Sequence, residues 1–177
     1  MGDAVAVAGV AVLIPLNPLI AYYDMRYRRI PNMLAAGTLV SGISINMMCR
    51  GGEGLIDSLF GFMLAFSVML GVRFLTGLGA GDVKLFGAIG ALMGARHVLP
   101  AFLLVLLLGG GLAAVAMLRA GLARHTMLGV YRIFAGMLPG GQLPPREDFA
   151  RSGLTIPYGV AIAGGSLLRM LGTLMWG

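Results

Sequence analysis

Residues 98–118 of the chain read VLPAFLLVLLLGGGLAAVAML, a run without a charged side chain. A helix needs about 20 mostly apolar residues to cross the ~30 Å hydrocarbon layer of a membrane. This run therefore predicts a transmembrane helix, and the composition of the whole chain agrees with that prediction. Of its 177 residues, 58% are hydrophobic and only 11% are charged, whereas soluble domains carry about 25% charged residues.

Other apolar runs extend the pattern along the whole chain. Together they predict six spans, at residues 4–23, 33–49, 55–75, 83–95, 98–118 and 154–171. The first run follows no basic segment and precedes no small-residue cleavage site, so we interpret it as a retained span rather than a signal peptide. We predict an all-α polytopic membrane protein in which residues 1–177 form a single domain.

The basic residues divide unequally between the two alternating sets of flanks. Most Lys and Arg residues fall on one set, and only Arg50, Arg96 and Arg169 fall on the other. Cytoplasmic flanks of membrane proteins carry an excess of Lys and Arg, so the first set is predicted to be cytoplasmic and both termini to lie outside. The net charge of +6 is therefore interpreted as a topology signal and not as a sign of nucleic-acid binding.

The longest loop, residues 119–153, has one apolar face. On a helical wheel one sector holds Leu122, Met127, Val130, Ile133, Phe134 and Met137, and the opposite sector holds Arg124, His125 and Arg132. This pattern is typical of an amphipathic helix lying in the membrane interface. We predict such a helix on the cytoplasmic leaflet, with membrane lipid as its partner.

Two acidic residues stand at the ends of apolar runs. Asp24 follows the first span, and Asp82 precedes the fourth within GAGDVKL, residues 79–85. Either acid alone could be an ordinary interfacial residue, but an ionisable group at membrane depth is a candidate functional site. Two spans separate Asp24 from Asp82, so both are predicted to face the cytoplasmic boundary.

A pair of carboxylates in a partly dry site cannot ionise together, so one keeps a proton while the other acts as a base. Such a pair can activate water for attack on a peptide carbonyl and protonate the leaving nitrogen. Gly79 and Gly81 let the backbone turn and allow a substrate strand to approach Asp82. The helix dipole at Asp82 is expected to favour its charged form.

Three motifs resemble those of the type IV prepilin peptidases, which are membrane aspartyl peptidases of the GxGD class. The motifs are Asp24 followed by RIPN at residues 29–32, GAGDVKL at residues 79–85, and IPYG at residues 156–159. The resemblance implies that Asp24 and Asp82 are the catalytic pair. It also implies that the chain acts in a bacterial inner membrane, where it removes short basic leaders from prepilin and pseudopilin precursors at the cytoplasmic face.

The chain is most similar to the short Tad/Cpa-type form, which serves Flp pili. Only Cys49 is present, so the paired CxxC motifs of the bifunctional, N-methylating members are not found. Pro157, Tyr158 and Gly159 are assigned to substrate binding, although Tyr158 fits an interfacial aromatic residue equally well. Glu147 and Asp148, the other cytoplasmic acids, are predicted to receive the basic leader.

No cofactor or metal is predicted, because no group of His, Cys and acidic residues has metal-ligand spacing. His97 and His125 are expected to be solvated surface residues, and Arg169 to reach the interface from the end of its span. Two alternative functions remain open. One is a small proton- or cation-conducting transporter that uses the same two aspartates, and the other is a non-catalytic assembly subunit. The sequence does not predict the oligomeric state.

Overall fold

The computed structural model describes residues 2–27, 29–76, 78–119 and 158–176. These residues form five helices, which are α1 (Gly2–Tyr27), α2 (Asn32–Thr76), α3 (Ala80–Met93), α4 (Ala95–Arg119) and α5 (Tyr158–Trp176). All regular secondary structure in this part of the chain is helical, which confirms the predicted fold class there. The predicted amphipathic helix falls in the stretch between α4 and α5, outside the described residues.

The chain divides into two compact units. One unit comprises Met1–Gly109 and Pro157–Gly177, and it contains α1, α2, α3, α5 and the first part of α4. The other comprises Gly110–Ile156, of which only the last turns of α4 are described. A single domain over the whole chain stays a prediction.

Four of the described helices are long and apolar enough to cross a membrane. The qualifying stretches are Ala4–Tyr27, Asn32–Phe74, Ala95–Ala116 and Tyr158–Met175. Large apolar side chains such as Met33, Met48 and Leu107 are exposed on these helices, as expected where lipid replaces water around the protein. The membrane character of the chain is thereby supported, while the number of six crossings stays a prediction.

The predicted second and third spans both lie in α2, on either side of a break. Gly51 has φ 61° and ψ −139°, which interrupts the helix and is a conformation that favours glycine. A Cβ at Gly54 would collide with the carbonyl group of Asn46, although a continuous helix would separate these residues by about 12 Å along its axis. The chain therefore turns back at Gly51.

The two halves of α2 pack against the same helix, α3. Gly42 in the first half approaches the backbone of Leu92, and Gly61 in the second half approaches that of Gly90. A Cβ at either glycine would meet backbone atoms of α3, so these glycines permit the close approach of the helices. The predicted fourth span corresponds to α3 itself.

Helix α3 is short and almost completely enclosed. Its 14 residues rise about 21 Å, less than the hydrocarbon thickness, and every residue from Leu85 to Met93 is buried. A helix that is apolar on all sides is typical of a position inside a bundle. The helix ends at Gly94, whose φ of 78° turns the chain directly into α4.

The boundaries of the first and last spans differ from the prediction. Helix α1 continues to Tyr27, so Asp24 lies within the helix rather than after it. Helix α5 continues to Trp176, which places Arg169 inside the helix, where its Nη2 atom is 3.1 Å from Nδ1 of His97. Both side chains are partly buried and lie against each other, so the prediction of a solvated His97 was wrong, while the snorkelling of Arg169 stays a prediction.

Candidate functional site

Asp24 lies near the C-terminal end of α1, and its side chain is only 8% exposed. Its Oδ2 atom accepts a hydrogen bond of 3.3 Å from the backbone N–H of Val160, in the first turn of α5. The first N–H groups of a helix have no partner within that helix, so they are available to a carboxylate. This contact joins the first helix of the bundle to a segment far along the sequence.

The neighbouring residue Gly159 allows this close approach. A Cβ added at Gly159 would lie 2.8 Å from Oδ2 of Asp24 and 3.2 Å from Cδ1 of Ile30. Carbon atoms do not approach a carboxylate oxygen so closely without displacement of one group. The glycine of the predicted PYG motif is therefore required by the position of Asp24, whichever substrate is bound.

Asp82 lies in the first turn of α3, outside the four long apolar helices. Its side chain is half-buried and receives a hydrogen bond from the backbone of Gly79. Gly79 is also held close to the carboxylate, since a Cβ there would lie 2.9 Å from Oδ2 of Asp82. The glycine that precedes the helix thus lets the chain fold back over the carboxylate.

Asp24 is close enough to Asp82 for its negative charge to affect the ionisation of Asp82. The pKa of Asp82 is raised from 3.8 to about 6, first by burial and then by the negative charge of Asp24, against a lowering by the hydrogen bond from Gly79. The start of α3 does favour the charged form of Asp82 through the N–H of Gly79, as expected, but burial and the second carboxylate outweigh this effect. At pH values below about 6, Asp82 carries a transferable proton.

Ile30 connects the three segments that carry the site. A Cβ at Gly81 would lie 3.3 Å from Cβ of Ile30, so the start of α3 packs against the connection between α1 and α2. The same isoleucine approaches Gly159 at the start of α5. Gly79 and Gly81 allow these contacts within the protein, and their predicted role in substrate approach stays a prediction.

Tyr158 is the first residue of α5 and lies near Asp82. Its hydroxyl group is within electrostatic range of Asp82, and its ring packs against Gly109 of α4, where a Cβ would lie 3.1 Å from Cζ. The ring also packs against the apolar core. The side chain therefore points into the bundle, rather than lying free in an aromatic belt.

The RIPN segment forms the start of α2. Asn32 is the first residue of the helix, and the carbonyl group of Pro31 accepts a hydrogen bond of 3.0 Å from the N–H of Leu34. The side chain of Asn32 accepts a hydrogen bond of 3.3 Å from Nζ of Lys84. Pro31 and Asn32 thus lie where proline and asparagine commonly begin a helix.

Three residues predicted to bind substrate are not described by the structure. Pro157 precedes α5 directly, and Glu147 and Asp148 belong to the stretch between α4 and α5. Their assignments stay predictions.

The opposite end of α3 contains polar contacts that sequence analysis did not predict. Oδ2 of Asp57 is 2.6 Å from Nη1 of Arg50, and its Oδ1 accepts the N–H of Ala95 at 3.0 Å. The amide of Asn46 donates to the carbonyl groups of Ala91 and Leu92 at 3.1 and 3.2 Å. The only sequence signal was a polar residue within or beside an apolar run.

Within residues 2–27, 29–76, 78–119 and 158–176, no group of three or more His, Cys, Asp or Glu side chains has the geometry of a metal site. The polar groups that the site itself presents are its two carboxylates and the backbone N–H groups beside them. A carboxylate stabilised by a backbone N–H, beside a protonated one, provides both a base and an acid.

Comparison with known proteins identifies relatives of this chain. The sequence profile of the type IV leader peptidase family matches residues 2–114, a range that includes Asp24 and Asp82. The prepilin leader peptidase/N-methyltransferase of Bacillus subtilis (strain 168) is 30% identical over 125 residues, which are 66% of this chain and 48% of that protein. The chain thus spans about half the length of this curated relative. No solved structure matches the chain.

Proposed function

The chain belongs to the type IV leader peptidase family, and we propose that it is an aspartic endopeptidase that cleaves the basic leaders of Flp-like type IV prepilins. The observation that carries this proposal is the pair Asp24 and Asp82. The negative charge of Asp24 contributes to raising the pKa of Asp82 to about 6, as expected for two carboxylates that share a partly dry site.

The proposed reaction uses both aspartates on one water molecule. Asp24 in its carboxylate form accepts a proton from water, and the water oxygen forms a bond to the carbonyl carbon of the scissile peptide. Protonated Asp82 donates its proton to the leaving nitrogen as the carbon–nitrogen bond breaks. Asp24 then holds a proton and Asp82 is ionised, so exchange with solvent restores the starting forms.

The roles are assigned by the surroundings of each carboxylate. The N–H of Val160 lies at Oδ2 of Asp24, and a backbone donor stabilises an ionised carboxylate. Burial and the neighbouring charge act on Asp82 in the opposite direction. Asp24 is therefore the proposed base and Asp82 the proposed acid.

The substrate assignment is supported by the relative and by charge. The Bacillus subtilis relative is named for the prepilin leader that it removes. We propose cleavage at the cytoplasmic face of a bacterial inner membrane, with both termini of this chain outside, because the flanks next to Asp24 and Asp82 are rich in Arg and Lys. A prepilin has a basic leader followed by an apolar helix, so its scissile bond would lie at the depth of the two aspartates.

The comparisons give no support to a proton- or cation-conducting transporter, and we do not propose it. That function would use the same carboxylates, so the test must follow peptide cleavage directly. A non-catalytic assembly subunit would tolerate the loss of either acid group.

The experiment is co-expression of the full chain with an Flp-type prepilin, followed by gel separation of precursor and mature pilin. Asp24→Asn and Asp82→Asn are each expected to slow cleavage by at least about 100-fold, because an amide cannot exchange the required proton. Asp57→Asn, at the other end of α3, is the matched control and should retain cleavage. Near-normal processing by either of the first two variants would contradict the aspartic mechanism.

A further inference from the structure

An open groove of about 340 Å³ lies where α1 ends and α2 begins. It is adjacent to the carboxylate site but distinct from it, because Ile30 stands between them and contacts Gly81 and Gly159 on its other side. The residues that line the groove are Tyr23, Tyr27, Arg29, Ile30, Pro31 and Asn32. Neither the family membership nor the proposed cleavage assigns a role to this groove.

The charge of the groove is positive. Arg29 is exposed and lines it, and none of the six lining residues is acidic. Lys84 adds a second cation at the rim, because its Nζ atom is 3.3 Å from Oδ1 of Asn32. Arginine and lysine are the side chains that commonly recognise phosphate groups.

The position of the groove matches the headgroup layer of a membrane. Helix α1 ends at the groove and helix α2 begins there, and both are apolar enough to cross a membrane. Tyr23 and Tyr27 form one wall, with ring centroids 5.7 Å apart. Tyrosine is enriched at membrane interfaces, where its ring contacts apolar groups and its hydroxyl group contacts polar ones.

We propose that this groove binds the headgroup of an anionic phospholipid, with the phosphate between Arg29 and Lys84 and the glycerol region against Tyr23 and Tyr27. The acyl chains would continue along the exposed apolar surface of α1. Charge complementarity favours this occupant over zwitterionic lipid. It also disfavours the basic leader of a prepilin, which the two cations would repel.

The test is lipid retention by the purified full-length chain in detergent micelles, measured by native mass spectrometry during titration with phosphatidylglycerol or phosphatidylcholine. The unmodified chain is expected to retain one phosphatidylglycerol in preference to phosphatidylcholine. Arg29→Gln and Lys84→Gln should each weaken this binding about fivefold, since one basic residue near the surface contributes about 1 kcal/mol. Arg29→Lys should retain most of the binding, which distinguishes lost charge from lost structure.

Arg26→Gln is the matched control, because Arg26 is exposed in the last turn of α1 but does not line the groove. Its binding of phosphatidylglycerol should change by less than about twofold. If Arg26→Gln and Arg29→Gln weaken phosphatidylglycerol binding equally, the lipid responds to general surface charge and not to the groove, and the proposal is overturned. Equal retention of both lipids would also overturn it, as would Arg29-dependent binding of a hexaglutamate peptide without binding of phosphatidylglycerol. Because the readout is lipid binding, the result does not depend on whether the chain cleaves prepilins.

Discussion

The two ends of α3 hold carboxylates in opposite ways. At the C-terminal end, Asp57 is paired with Arg50 at 2.6 Å and accepts the N–H group that begins α4. At the N-terminal end, Asp82 is within the electrical influence of a second carboxylate, Asp24. The carboxylate at one end of α3 is therefore paired with a cation, whereas the carboxylate at the other end lies near a like charge.

This difference teaches that surroundings, and not residue type, decide what an aspartate does here. Asp57 pairs with Arg50 and accepts the N–H group of Ala95, so its carboxylate fastens α2 to α4. Burial and a like charge make Asp82 retain its proton to higher pH. Only the second arrangement supplies a proton that can move during a reaction.

The largest effect on this comparison is expected from Gly159→Ala. The added Cβ would lie 2.8 Å from Oδ2 of Asp24, so the carboxylate must shift away from its position beside α5. A misplacement of about 1 Å costs on the order of 100-fold in rate, and the prepilin gel assay should show this loss. Gly164→Ala, in the same helix, is the control, because the nearest atom there is 3.5 Å from the new carbon. If both variants cleave alike, the contact between Asp24 and α5 is unimportant for cleavage.

The pH dependence should show the second largest effect. Asp82 has a pKa of about 6, so the protonated form needed as an acid disappears as the pH rises through this value. We expect kcat/KM to fall about tenfold per pH unit above about 6, since this ratio reports the ionisable groups of the free enzyme.

Infrared titration of the protonated carboxyl group in Asp24→Asn should give a lower pKa for Asp82, because the variant lacks the neighbouring negative charge. An unchanged value in that variant would mean that Asp24 is too distant to act on it.

At the other end of α3, Asp57→Ala should reduce stability and leave the reaction almost unchanged. The variant loses a helix cap, worth about 1 kcal/mol, and a partly exposed ion pair, worth at most about 1 kcal/mol. We expect the free energy of unfolding in mixed micelles to fall by about 1–2 kcal/mol, with cleavage within about twofold of normal. Glu53→Ala, an exposed acid in the same region, should change neither quantity. A large loss of cleavage in Asp57→Ala would remove the distinction between the two ends.

The smallest effect is expected from chelators. EDTA should leave the cleavage rate unchanged, because the proposed acid and base are carboxylates that act without a metal. Loss of activity in EDTA that zinc restores would assign the two aspartates to a metal site instead.

The apolar runs predicted most of the helical segments, because burial in lipid requires about 20 apolar residues wherever a chain crosses. The sequence also predicted that Asp24 and Asp82 lie on the same side of the membrane, since an even number of spans returns the chain to the side it left. The gap between the second and third predicted spans also predicted a turn within residues 50–54, but not its exact position, because glycines are frequent throughout this sequence. The φ of 61° at Gly51 and the close approach of Gly54 to Asn46 locate that turn.

Contacts between distant side chains were the least predictable part of the site. Nothing in the sequence indicates that Ile30 packs against both Gly81 and Gly159, or that Val160 donates to Asp24. These contacts depend on how helices pack, and periodicity reports only which residues share a helix face. Arg169 and His97 show the same limit, since the sequence does not indicate that they contact each other.

The hydrogen bond from Val160 to Asp24 also sets the order in which the site is completed during synthesis. The two residues are separated by 136 positions in the sequence, and ribosomes add about 5–20 residues per second. Asp24 is therefore translated on the order of ten seconds before the donor that holds it. A nascent chain has both aspartates long before it has α5, so its carboxylate pair lacks this support until the ribosome has translated Val160.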